Sequence, residues 1–476
     1  MVFSSETFLF LFLPLFLALY YLTPARLRSL TLLAGSYAFY GWWRLDFLGL
    51  LILTTLWTYW AGQRVRRSQG RARRAWTGLG VAGCLAVLAT FKYLNFFVDS
   101  FAALIGTDAA GLGMHWRVIL PIGISFYVFQ SISYLVDTHR GDADEEVGFL
   151  DFAAFIALFP QLIAGPILRF KDLAWQFRHR THTAEKFTDG MMLFFVGLAK
   201  KVLLADSVAP LADLAFATPD PSLALAVSGS VAYMMQLYFD FSGYSLMAIG
   251  LGLMMGFRFV QNFDTPYISR SITEFWRRWH ISLSIWLRDY LYIPLGGNRV
   301  GPVRTYGNLM AVMVLGGLWH GAAWTFVIWG FWHGGWLAIE RATGLARATG
   351  TAALVRTMII VLLGWVVFRA TSLDQALGVY EGMLGLNGLL PSGAAALAIT
   401  QESLMALLLC IAVVAAEPWL KRTAVDRMSL SVGEAGLNAV SAVNTVVPTM
   451  LTGTLAVLAV LKLAEQTVSP FLYFQF

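Results

Sequence analysis

Apolar runs long enough to cross a hydrocarbon core, roughly 20 residues each, recur along this chain with short polar breaks between them. The pattern predicts spans over Phe8–Leu22, Leu30–Tyr40, Phe47–Ala61, Trp76–Phe101 and Val118–Val136. Further spans are predicted over Thr188–Val208, Leu223–Met255, Arg356–Arg369, Leu404–Ala416 and Val443–Ala464. Two runs do not fit a single crossing. Phe149–Leu168 contains Pro160 and Pro166. Val303–Glu340 has 38 residues, about 57 Å as a straight helix, against a core of roughly 30 Å. It must break, and Gly316, Gly317 and Gly321 cluster near its middle. The expectation is an all-α polytopic membrane protein with about twelve crossings and at least one re-entrant piece. No soluble domain fits between the runs, so residues 1–476 read as one membrane domain. No internal repeat of the kind that builds two-halved transporters is visible.

Charge placement adds a topology. Arg26 and Arg28 separate the first two runs, and six arginines fall between Arg64 and Arg74. Placing both loops in the cytoplasm puts the N-terminus outside, and counting onward puts the C-terminus and the 371–402 connection outside too. The run at Phe149–Leu168 precedes a basic stretch with Arg169, Lys171, Arg178, Arg180 and Lys186. A re-entrant path keeps that stretch inside, since non-helical backbone at depth is tolerated where protein surrounds it. The first residues have no positive stretch ahead of their apolar run, which predicts a retained span instead of a cleaved signal.

Composition agrees with the pattern: 58% of residues are hydrophobic and 13% charged, against about 25% charged in a soluble domain. The net charge of +6 is what loop arginines produce, so no nucleic-acid partner is expected. Membrane lipid is the surrounding medium. Cys84 and Cys410 sit inside apolar runs, so neither a disulfide nor a thiolate metal site is expected, and no metal-binding spacing or phosphate-cradling glycine loop occurs.

Between Asn262 and Arg299 the composition changes: NFDTPYISRSITEFWRRWHISLSIWLRDYLYIPLGGNR. Glu274, Arg277, Arg278, His280, Arg288 and Asp289 are interleaved with Trp276, Trp279, Trp286 and Tyr290. The segment is too charged to face lipid and too aromatic for an ordinary loop. It is either an interfacial helix anchored by Trp and Arg or a buried site with paired charges. His320 is flanked by glycines in an apolar run, after Trp319 and before Gly321-Ala322-Ala323, and an ionisable residue at such depth points to function. Its small neighbours would leave room for a ligand to approach the ring. His333 follows thirteen residues later, about 220° away on an unbroken helix, and is expected to serve packing. His115, His139, His179 and His182 fall in or beside polar stretches and read as solvated or interfacial.

FWRRWHISLSIWLRDYLYIPLGGNR and LGGLWHGAAWTFVIWGFWHG resemble the signature of the bacterial membrane-bound O-acyltransferases. The likeness extends in order to PIGISFYVFQSISYLVD, FPQLIAGPI, AKKVLLADS, YFDFSGYS and the ending SPFLYFQF. Its core spans about residues 118–340. One departure is Leu246 after SGYS, where relatives often have an acidic residue, so no carboxylate role carries over there. The resemblance is closest to the branch that O-acetylates exported polysaccharides such as alginate. It implies a ring of about 11–13 tilted transmembrane helices with re-entrant segments, in the bacterial inner membrane. It also implies acetyl transfer from a cytoplasmic thioester, acetyl-CoA or another, to an exported polysaccharide or a periplasmic acetyltransferase partner. No tightly bound cofactor is implied. The family's catalytic histidine falls on His320 and a second motif histidine on His280. A base that takes the hydroxyl proton suits a histidine, whose ordinary pKa is about 6.5. His280 could bind an oxyanion, orient the donor or hold the segment in place. Arg277, Arg278 and Arg288, with Trp276 and Trp319, could hold a phosphate-bearing donor, and Ser282, Ser284 and Asn298 could donate hydrogen bonds. Other acceptors (cellulose, peptidoglycan, teichoic acid) remain open, as does a transporter or flippase with the charged segment as its gate.

Overall fold

The structure is a computed structural model that describes residues 1–142, 147–163, 165–299, 301–426 and 446–465. The SPFLYFQF ending and the first residues of the last expected span lie outside the described residues. Helices joined by loops and turns make up the described chain, with no strand among the described residues, as the apolar pattern requires. Among the described residues, five helical segments are long and apolar enough to cross a membrane by length and composition: Leu45–Arg67, Gly70–Leu104, Leu223–Met254, Gly350–Arg369 and Gln401–Leu420. The protein is thus an all-α polytopic membrane protein, although several expected spans are shorter, more polar or interrupted. Val118–Val136 is one: Pro121 and Gly123, with φ +75°, delay its helix to Ile124.

The described residues form two compact units. The first, residues 1–187 with 251–259, holds α1 (Leu13–Leu22), α2 (Arg28–Gly41), α3 (Leu45–Arg67), α4 (Gly70–Leu88) and α5 (Leu94–Leu104). It continues with α6 (Ile124–Arg140), α7 (Phe149–Ala157), the single turn α8 (Phe159–Leu162) and α9 (Phe170–His179). Polar contacts gather one set of helix ends. Arg73 donates to the Thr138 carbonyl at 2.6 Å, Lys171 pairs with Asp142 at 3.2 Å, and Arg180 Nε meets Tyr20 Oη at 3.1 Å. Helix α9 runs along this end from Asp142 toward Tyr20. The arginine-rich loops and the basic stretch after Arg169 therefore share an end, the grouping a cytoplasmic face demands.

The segment from Phe149 starts beside Tyr59 and runs the depth of the unit. The Phe159 amide meets Ser36 Oγ at 3.2 Å. At Leu162 the chain has reached Gly123, at the opposite end of α6, and any Cβ on Gly123 would strike the Leu162 carbonyl. From Gly165 the path returns without helix through buried Ile167 and Leu168 to Phe170, whose N–H meets Ser133 Oγ at 3.2 Å. This is the expected re-entrant path. Its non-helical leg is covered by protein, as backbone at such depth must be.

The second unit, residues 188–250 with 260–476, begins within α10 (Ala184–Ala199) and continues through α11 (Asp206–Ala217) and α12 (Leu223–Met254). Gly197 and Gly250 lie where a Cβ would collide with backbone of the opposite helix, so α10 and α12 meet backbone to backbone. Between α10 and α11 the chain makes a π turn over Lys200–Ala205. On an α-helix, residues five apart differ by about 140°; the wider turn aligns Lys201 with Asp206. Lys201 Nζ lies 2.6 Å from Asp206 Oδ1 and 2.8 Å from Asp240 Oδ1. Lys200 pairs with Glu417 at 2.9 Å.

The chain continues through α13 (Ile272–Arg278), α14 (Ile281–Leu287), α15 (Pro302–His320), α16 (Trp324–Thr343), α17 (Gly350–Arg369), α18 (Leu373–Met383), α19 (Gly393–Ala398), α20 (Gln401–Asp426) and α21 (Val446–Glu465). The 38-residue run breaks at Gly321, as length demanded. Its halves, α15 and α16, form a hairpin held close by glycines: a Cβ on Gly317 would strike the Phe326 carbonyl, and one on Gly330 the Met313 carbonyl at 2.5 Å. His320 ends α15 at the hairpin tip.

Candidate functional site

The polar, aromatic segment is positioned by a buried carboxylate. Glu340, near the end of α16, accepts from the Ile272 amide at 2.6 Å and from the Thr273 amide at 2.9 Å. It thereby satisfies the orphan donors at the start of α13, alongside the Ser271 cap that accepts from the Glu274 amide. Helix α13 stops at Arg278, and His280 turns the chain into α14 with φ +44° and ψ +54°, a left-handed conformation uncommon outside glycine. The first amides of α14 are satisfied from Asn262. Its carbonyl accepts from Ile281 N–H at 2.9 Å, and its side-chain Oδ1 accepts from Ser282 N–H at 3.2 Å and Ser282 Oγ at 2.9 Å. His280 Nδ1 lies 3.2 Å from the same oxygen.

This turn brings the two motif histidines together. The His280 and His320 rings lie 6.2 Å apart between centroids. Trp319 lies 5.9 Å from His280 and 5.0 Å from His320. Trp329 and Phe368 close the other sides of His320 at 5.3 and 5.2 Å. Both histidines are buried, His280 at 0% exposed and His320 at 4%.

A cavity of about 180 Å³ leads to His320. Its walls include Arg288, Tyr292, Leu309, Met313, Gly316 and Trp276, with Ser284 and Trp329. Eleven residues of α15 separate Leu309 from His320, about 16 Å, so the cavity follows the hairpin toward its tip. Asn298 marks the opposite end of the hairpin, accepting from Tyr292 Oη at 2.5 Å and Arg341 Nη1 at 3.0 Å. Arg288 sits on a π turn, Arg288–Tyr292, with Asp289 at 2.7 Å, and remains more than half exposed. The arrangement is a narrow, mainly apolar passage with a cation toward one end and an imidazole at the other. A larger groove of about 600 Å³, walled by Trp332, Trp336, Val355 and Leu363, holds none of the candidate residues.

The candidates separate on this geometry. His320, Trp276, Arg288 and Ser284 face the cavity, and His280 and Trp319 pack behind His320. Arg278 is engaged elsewhere, with Glu274 at 2.9 Å and Asp264 at 3.2 Å. Arg277 is exposed and is not among the residues that line the cavity. The room expected beside Gly321 is occupied, since a Cβ there would meet the Phe326 ring. Gly316, bordering the cavity opposite Leu287, is the glycine that leaves space. His333 sits in an aromatic box, 4.8 Å from Trp329 and 5.3 Å from Trp276. The angle expected between His320 and His333 assumed an unbroken helix; the break at Gly321 puts both rings against Trp329. Sequence reasoning passed over Asn262, Tyr292 and Trp329. Asn262 opens the charged segment, but nothing local marks it as the partner of a residue 18 positions on.

A family model described as MBOAT, membrane-bound O-acyltransferase family, matches residues 51–371. The probable alginate O-acetylase of Azotobacter vinelandii is 52% identical over 100% of both chains. The peptidoglycan O-acetyltransferase of Helicobacter pylori is 37% identical over 82% of this chain and 80% of its own. The teichoic acid D-alanyltransferase of Bacillus subtilis is 29% identical over 46% of this chain and 58% of its own.

Proposed function

The chain belongs to the membrane-bound O-acyltransferase family, and from that membership we propose that it passes acetyl groups across the bacterial inner membrane to an exported, alginate-like polysaccharide. The protein is an O-acyltransferase; donor, acceptor and catalytic residues are the proposal. The donor is a cytoplasmic acetyl thioester, acetyl-CoA or an acetylated carrier protein, and the immediate acceptor is either the polymer or a periplasmic acetyltransferase partner.

The observation that supports this most is the cavity from Arg288 and Tyr292 to His320. A thioester arm lying in it would keep its phosphate-bearing end near Arg288 and its carbonyl near His320. His320 takes the proton of the acceptor hydroxyl as its oxygen attacks the thioester carbonyl. Collapse of the tetrahedral intermediate breaks the C–S bond, and the departing thiolate takes that proton to leave as a thiol. The ring of Trp329 and the tip of the hairpin exclude water from the reacting carbonyl, which suppresses hydrolysis. His280 assists from its place behind His320.

The test is purified protein in nanodiscs, supplied with acetyl-CoA or acetylated carrier on one face and a hydroxyl acceptor on the other. Transfer by wild type and background transfer by His320→Gln, at equal inserted protein, are expected. Wild-type rates in a well-inserted His320→Gln protein would end the assignment. Acetyl content of alginate, cellulose and peptidoglycan from cells with and without the gene identifies the acceptor.

A further inference from the structure

We infer that Asn262 is a positioning residue that fixes His280 as its Nδ1–H form, so that Nε2 keeps a bare lone pair for a hydrogen-bond donor at the reacting centre. That a reacting centre lies there rests on the proposed function; the tautomer does not. Ser282 N–H can only donate, and it meets the Asn262 side chain at 3.2 Å. The amide oxygen must therefore occupy that position, which removes the usual ambiguity between the two ends of an asparagine amide. His280 Nδ1 lies 3.2 Å from the same oxygen. An amide oxygen cannot donate, so Nδ1 holds the proton. In a neutral ring Nε2 is then bare.

That bare nitrogen is fully buried and meets no hydrogen-bond partner among the described residues. Phe241 stands edge-on to the ring at 4.7 Å, and Trp319 and His320 occupy the remaining sides at 5.9 and 6.2 Å. The left-handed backbone at His280 is a conformation that persists only where surroundings over-determine it, and here Asn262 binds residues 280, 281 and 282 at once. An imidazole lone pair attracts a donor. A thioester carbonyl or an oxyanion, both acceptors, would be repelled. Of the roles open to His280, oxyanion binding is thereby excluded for the neutral ring, and a role that accepts a hydrogen bond is favoured.

Nitrogen NMR of protein with ¹⁵N-labelled histidine rings, in nanodiscs at neutral pH, reads the tautomer directly. The wild type should contain one Nδ1–H signal that disappears in His280→Gln. Asn262→Leu should move that signal to the Nε2–H form, whereas Asn262→Asp, which keeps an acceptor oxygen, should retain it. In transfer assays Asn262→Leu should lose at least tenfold in kcat with donor KM unchanged, Asn262→Asp should recover most of that, and Asn262→Leu with His280→Gln should be no worse than His280→Gln alone. A wild-type His280 found as Nε2–H or as imidazolium overturns the inference without need of any variant. The Nδ1–H form in a wild type that acylates no hydroxyl would refute the proposed function and with it the reacting centre, leaving the tautomer standing.

Discussion

His182 and His280 are both enclosed by aromatic and polar side chains, yet their ring nitrogens are used differently. In the first unit, His182 Nδ1 lies 3.0 Å from Arg28 Nη1, which can only donate. Its Nε2 lies 2.9 Å from Tyr20 Oη, and that hydroxyl already donates to the Met255 carbonyl at 2.9 Å. The Nε2–H therefore donates to Tyr20, and both nitrogens are spent on holding three chain segments together. In the second unit, His280 spends one nitrogen on Asn262 and keeps the other. His182 is part-buried with both nitrogens engaged, and His280 is fully buried with one.

The comparison is broken most severely at His320. If it is the general base, His320→Gln should lower acetyl transfer by about 10²–10⁴-fold, with insertion unchanged, as measured by acetyl content per inserted molecule. His280→Gln should cost less, because His280 stands behind the proton acceptor. His333→Gln should keep most activity, since its box of Trp276, Trp329 and Phe275 points to packing. Equal losses at His333 and His320 would show that the aromatic box is part of the chemistry.

A smaller effect separates the arginines. Arg288→Gln should raise the KM for acetyl-CoA with little change in kcat, because Arg288 lines the cavity. Arg277→Gln should leave both near wild type. The reverse order in donor titrations would relocate the donor's entry.

The smallest effect belongs to His182. Burial, then the Arg28 and Arg180 guanidiniums, holds its pKa down to about 4 from 6.5. The unfolded chain therefore binds more protons between about pH 4 and 6.5, and stability falls as pH drops through that window. Replacing His182 by Gln should flatten that part of the profile in thermal melts while leaving activity per folded molecule unchanged. An unaltered slope from pH 6.5 to 4 would show that His182 does not titrate as the network requires.

Much of this arrangement is legible in the amino-acid sequence. Length arithmetic locates the break in Val303–Glu340, and the arginines after Leu168 demand a re-entrant path, because both follow from the thickness and polarity of the bilayer. The histidine pair is legible through motif resemblance and the depth of His320. Other features are not legible because tertiary contacts decide them. Arg277 and Arg278 are adjacent and alike in sequence, yet Glu274 and Asp264 engage only the second. The glycines beside His320 are equivalent in sequence, and only the packing of Phe326 fills the space at Gly321. Three π turns carry a cation, Lys92 on Ala89–Tyr93, Lys201 and Arg288, but the one at Thr7–Phe12 carries none, so no residue type announces them.

The turn at Lys200–Ala205 has a consequence for how this chain can tolerate change in length. A π turn holds one residue more than an α-helical turn, and each residue sets the rotational phase of everything after it by about 100°. Deleting one residue from 202–205 would restore regular helical bonding and leave Lys201 and Asp206 four residues apart, about 40° on an α-helix, so the pair and the face of α11 would survive. Adding one residue more to the same turn would swing Asp206 away from Lys201, and breaking a buried ion pair from one side costs about 3–5 kcal/mol. The lengthened turn should therefore lose stability, whereas the shortened one should express and melt near wild type. The turn is slack already taken up: the chain can give back one residue there, and cannot take in another.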